Sequence, residues 1–83
     1  MEIRILGPGC ANCQRVEQIA REAAAEMGVE ATFTHVTNMR EIMAYRILGT
    51  PGLVINGKVV SAARIPTKAE VSVWVANAAM AEG

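Results

Sequence analysis

Cys10 and Cys13 are the two cysteines of this 83-residue chain, and two residues separate them. A thiol pair at that spacing can cycle between dithiol and disulfide if the backbone brings the sulfurs together and favours the thiolate, which is the attacking species. Glu2-Ile3-Arg4-Ile5-Leu6 reads as a short apolar strand, Gly7-Pro8-Gly9 breaks it, and Cys10-Ala11-Asn12-Cys13 opens a long helical pattern. In the first turn of a helix the unpaired N–H groups and the macrodipole favour negative charge, so a thiol there ionises more readily than a free one. Dithiol–disulfide exchange is the chemistry these residues are suited to.

The elements that must position the pair follow from the rest of the pattern. Apolar residues at Val16, Ile19, Ala20, Ala23 and Met27 continue from Cys13 at helical spacing, which predicts a helix over Ala11 to Met27 with Gly28 as its stop. Its outer face carries Arg15, Glu17, Arg21, Glu22 and Glu26, with Glu17 and Arg21 spaced for an i,i+4 pair. Thr32 to Val36 is β-branched and aromatic and reads as a second strand. A strand–helix–strand unit of this kind pairs its strands in parallel with a right-handed crossover, which places the cysteine loop at the carboxyl end of the first strand.

Asn38 and Glu41 form a capping pair for a second helix that ends near Leu48, with Met39, Ile42, Met43 and Ile47 as its apolar face. Gly49-Thr50-Pro51 breaks that helix. Leu53-Val54-Ile55 and Lys58-Val59-Val60 flank Asn56-Gly57, the dipeptide suited to a type I′ hairpin turn. Thr67-Lys68-Ala69-Glu70 after Pro66 is a capping box for a third helix from Lys68 to about Met80. Val71, Val73 and Val75 alternate with their neighbours as in a strand, but the capping box and the alanine-rich continuation decide for helix. The order is β-α-β-α-β-β-α in a single α/β domain over residues 1–83, with no repeat or linker.

Composition narrows the partners. A chain this short holds one core, and its 52% apolar residues are ample for it. Eight basic and eight acidic residues cancel, and no basic stripe with interleaved aromatics is present, which argues against nucleic acid and anionic membranes as partners. There is no apolar run of membrane-spanning length and no leader pattern at the N-terminus, so a cytoplasmic location is expected. In that compartment a Cys-x-x-Cys pair points to redox or metal chemistry rather than a structural bridge.

Two separated segments, Gly7-Pro8-Gly9-Cys10-Ala11-Asn12-Cys13 and Gly49-Thr50-Pro51-Gly52-Leu53-Val54-Ile55-Asn56-Gly57-Lys58-Val59-Val60, together resemble the small thioredoxin-like family of redox-active disulfide proteins. The likeness covers essentially the whole chain and implies a minimal thioredoxin fold: a four-stranded mixed sheet flanked by three helices. It also implies a cis peptide at Thr50-Pro51 facing the cysteines, with the Thr50 backbone pairing with an incoming substrate. By this resemblance Cys10 attacks a protein or small-molecule disulfide and Cys13 resolves the mixed disulfide. No cofactor beyond the Cys10–Cys13 couple is implied, the resemblance suggests a thioredoxin reductase as electron donor although no residue names it, and a monomer is the expected state for so small a carrier. The chain lacks the Trp-Cys-Gly-Pro-Cys of thioredoxins and the Cys-Pro-Tyr-Cys of glutaredoxins, so its potential cannot be borrowed from either. Ser61-Ala62-Ala63-Arg64 does not resemble the stretch with which glutaredoxins hold glutathione.

The main alternative is a soft-metal carrier, since small copper-carrying domains also place Cys-x-x-Cys between their first strand and first helix. Those domains resemble a β-α-β-β-α-β order with Met two residues before the first cysteine, where this chain has Pro8. A zinc site is weaker, because beyond the two thiols only His35 is an obvious nitrogen donor. His35 is expected on the strand face opposite Phe33 and is assigned no role. The five methionines and Trp74 read as core residues, and Lys58 as a solvated edge residue.

Overall fold

The computed structural model describes residues 1–82. Its elements are β1 (Glu2–Leu6), α1 (Ala11–Glu26), β2 (Thr32–Val36), α2 (Met39–Ala44), β3 (Gly52–Ile55), β4 (Lys58–Ala62) and α3 (Lys68–Glu82). The strands form one mixed sheet in the order β2-β1-β3-β4. β1 runs parallel to β2, pairing Glu2 with Thr32 and Leu6 with Val36, and antiparallel to β3, pairing Ile3 with Ile55 and Leu6 with Gly52. This is a minimal thioredoxin fold, with the four strands and three helices expected of it.

Alternation along β1 divides the interior. Ile3 and Ile5 face α1 and α3 and pack with Val16, Ala20, Leu53, Val71 and Val75, whereas Leu6 faces the other way, toward Val36, Ile42 of α2 and Val54. The helices thus cover both faces of the sheet, which fixes its central strands and the loop that leaves β1. Val71 and Val75 are fully buried while Val73 is 57% exposed, the i,i+4 pattern of a helix. The capping box is present in both directions: Thr67 N–H donates to Glu70 Oε1 at 3.0 Å and Glu70 N–H to Thr67 Oγ1 at 3.1 Å. Those bonds outweigh the β preference of the three valines. Trp74 is half-buried against the main core, and Lys58 is exposed at the start of β4.

The hairpin turns at Asn56 and Gly57, with φ of 50° and 83°, the left-handed conformation that a type I′ turn requires. A bulge between Leu53 and Val54 shifts the β3–β4 register, so that Val54 faces Val59 and Leu53 faces Ser61, and β4 continues to Ala62 rather than stopping at Val60.

Two further expectations are corrected. The second helix ends at Ala44 instead of running to Leu48: Tyr45 caps it and Arg46 takes a φ of 59°, which no helix continues through. Of its expected apolar face only Ile42 is buried, while Met39 and Met43 are 54% and 68% exposed; Met27 and Met80 are exposed too, so of the five methionines expected in the core only Met1 packs against it. The other correction concerns His35. Residues two apart in a strand share a face, and His35 and Phe33 both turn toward α1: Arg21 lies over the Phe33 ring at 4.4 Å, and His35 Nδ1 lies 3.3 Å from Glu17 Oε1.

Candidate active site

Gly7, the first residue beyond β1, extends the ladder by donating its N–H to Val36 O at 2.9 Å, and Gly9, with a φ of 90°, swings the chain into α1. Cys10 is the N-cap of that helix: its backbone is extended (φ −72°, ψ 166°) and its carbonyl accepts the first helical bond, from Gln14 N–H at 3.1 Å. A side chain in this position satisfies one of the unpaired helical N–H groups, and here the sulfur takes that part, accepting from Cys13 N–H at 3.3 Å. No acidic residue lies in the first turn of α1, so no carboxylate of that turn opposes charge on the sulfur.

The two thiols differ sharply in setting. Both are free; Cys10 is exposed and Cys13 is fully buried against Val16, Ile5 and the rest of the main core. The Cys10 thiol is held below the usual thiol range, first by a hydrogen bond from the Cys13 side chain and next by the Cys13 backbone N–H. Burial pushes the Cys13 thiol up, and its hydrogen bond to Cys10 adds to that. One sulfur is accessible and inclined to ionise, while the other is sheltered and inclined to stay protonated.

Thr50 and Pro51 come to the same end of the sheet, because Gly52 pairs with Leu6, the last residue of β1. The Thr50–Pro51 peptide is cis. Pro51 is buried and its carbonyl accepts from Ala63 N–H at 2.9 Å. Thr50 takes part in none of the backbone hydrogen bonds outside the helices and ladders. The sequence reading thus named four residues that the fold brings to one edge, but it treated Gly7 only as a breaker, and the packing of Cys13 over that glycine left no mark in the residue pattern.

Elsewhere there is little that competes as a site. A cleft of about 290 Å³ lined by residues such as Asn56, Lys58, Val60, Trp74 and Asn77 lies by the hairpin turn, beyond the opposite end of β1 from the cysteines. Among the described residues no cluster of three or more His, Cys, Asp or Glu side chains could hold a metal ion, and no helix is long and apolar enough to cross a membrane.

The family profile described as Thioredoxin domain matches residues 1–76. The chain belongs to the thioredoxin domain family. A thioredoxin of Methanothermobacter thermautotrophicus is 39% identical over 71 residues, which span 86% of this chain and 92% of that one. A thioredoxin of Methanocaldococcus jannaschii is 32% identical over 69 residues, 83% of this chain and 79% of that one. Thioredoxin-domain membership carries thiol–disulfide oxidoreductase chemistry in general, and the Cys-x-x-Cys pair that chemistry needs is present. These likenesses lend no support to the copper-carrier alternative.

Proposed function

We propose that the chain reduces or exchanges disulfides through Cys10 and Cys13, with Cys10 as nucleophile and Cys13 as resolving thiol. The observation that carries this reading is the asymmetry of the pair: an exposed Cys10 whose thiolate is favoured at the N-cap of α1, and a buried Cys13 whose thiol is not. In the first step Cys10 thiolate attacks one sulfur of a disulfide, a mixed disulfide forms, and the other sulfur leaves as a thiolate that takes up a proton. In the second step Cys13 gives up its proton and attacks Cys10 Sγ. The Cys10–Cys13 bond forms, the bond from Cys10 to the partner breaks, and two electrons have passed from the pair to the partner's disulfide.

An extended segment of a protein disulfide fits this edge, since the Thr50 backbone is left without a partner in the sheet and could pair with an incoming strand. Thr50 and Pro51 are accordingly the substrate-binding residues of the proposal, and no cofactor beyond the thiol pair is needed. A thioredoxin reductase is the proposed electron donor, acting on a monomer in the cytoplasm, with protein or small-molecule disulfides as acceptors. The test is a Cys13→Ser variant incubated with a disulfide-bonded protein. Accumulation of a mixed disulfide through Cys10 supports the assignment, whereas mixed disulfides that form only in Cys10→Ser would reverse the two roles.

A further inference from the structure

We infer that Gly7 is a positioning residue for this exchange, its missing side chain making the seat that holds the Cys13 sulfur for attack on Cys10. The inference rests on the exchange reading above. An ideal Cβ built on Gly7 would overlap Cys13 Sγ, far inside the 3.0 Å limit that real Cβ atoms essentially keep. The same point lies 3.3 Å from Cys13 Cβ and 3.9 Å from Thr50 Cβ. The Cys13 sulfur therefore rests directly on the Gly7 backbone, close to the residue proposed to meet substrate.

The reason for the glycine is steric rather than conformational. Gly9, Gly28 and Gly57 have positive φ, but Gly7 does not, so its backbone is open to any residue. The nearest obstacle to a side chain at this position is the sulfur, and the next is the β-carbon of the same cysteine. The floor of the seat is held by the sheet, through the bond from Gly7 N–H to Val36 O, and its roof by α1, which carries Cys13. A methyl group on residue 7 leaves the sulfur nowhere to remain, and it or the helix start must move.

The consequence falls mainly on the second step. Attack by Cys10 on an outside disulfide depends on the Cys13 seat only through the hydrogen bond that lowers the Cys10 thiol, whereas resolution needs the Cys13 sulfur at bonding distance and in line with the bond it breaks. A misplacement of about 1 Å in such a geometry costs on the order of 100-fold in rate. Gly7→Ala should therefore separate the two steps.

The experiment is stopped-flow reaction of the reduced protein with one equivalent of 5,5′-dithiobis(2-nitrobenzoate). Release of the first nitrothiobenzoate reports attack, and release of the second reports resolution. In Gly7→Ala the first release is expected at a rate between those of wild type and Cys13→Ala, and the second slowed by about 100-fold against wild type; a second release as fast as in wild type would overturn the inference. A wild-type protein that releases only one equivalent would instead overturn the exchange reading itself. Should Gly7→Ala fold poorly, urea midpoints decide: Gly7→Ala is expected to cost much less in the Cys13→Ala background, where only the 3.3 Å contact with the β-carbon remains, than in wild type, and an equal loss with or without the sulfur would show that Gly7 is not its seat.

Discussion

The backbone N–H of Cys13 donates to Cys10 Sγ at 3.3 Å, so the N-cap of α1 is a thiol where serine, threonine, asparagine or aspartate would be usual. A capping group and a nucleophile need the same thing here, electron density stabilised by helical N–H groups. One helix start therefore serves both fold and chemistry.

The Cys13 thiol is the leading cause of the lowered Cys10 titration, ahead of the backbone N–H. Cys13→Ala removes the first and keeps the second. Site-resolved alkylation with iodoacetamide should show Cys10 titrating at higher pH in Cys13→Ala than in wild type, with a slower rate at neutral pH. An unchanged pH profile would mean that the helix terminus alone sets the ionisation.

Glu70 should shape the acid limb of stability. Two hydrogen bonds from Arg64, at 2.7 and 3.0 Å, and one from Thr67 N–H hold its carboxyl at about 2, against an ordinary 4.5. A carboxyl depressed in the folded state contributes stability that is present above the unfolded value and is lost as pH falls through the folded one. Urea midpoints of wild type and Glu70→Gln should thus differ most above pH 4.5 and converge as the pH approaches about 2. A gap that stayed constant across that range would remove Glu70 as the titrating group.

Asn56 ties the hairpin to the start of β1. Its Oδ1 accepts from Glu2 N–H at 2.8 Å and its own N–H donates to Glu2 O at 2.7 Å, while its φ of 50° is one that asparagine tolerates better than alanine. Asn56→Ala should cost about 2 kcal/mol in urea unfolding, from the left-handed backbone and two lost side-chain hydrogen bonds, one accepted from Glu2 N–H and one donated to the exposed Glu82 carboxylate. Disulfide exchange should be unaffected, because Asn56 lies beyond the opposite end of β1 from the cysteines.

Much of this was legible in the residues because local signals agreed with tertiary packing. Thr67 and Glu70 announced α3 against the β preference of Val71, Val73 and Val75, and Asn56-Gly57 announced the hairpin. The strand β1, the start of α1 and β2 were read to the residue. Reading failed where a local pattern had no packing partner: Met39 and Met43 have helical spacing but the sheet face beneath α2 is already filled by Ile42, Leu6, Val36 and Val54. It failed again at His35, where the period-two rule places it with Phe33. At the site, the two cysteines and the Thr50–Pro51 edge were visible as motifs. The seat at Gly7 was not, since a steric constraint between residues six apart in sequence appears only when β1 and α1 have met.

The most direct measurement is a redox titration of the purified, metal-free protein in graded dithiothreitol buffers, with free thiols counted at each step. A reversible two-electron transition that consumes both Cys10 and Cys13 is the expected result. Thiols that never pair, or a protein that binds Cu(I) and resists oxidation, would contradict the central claim.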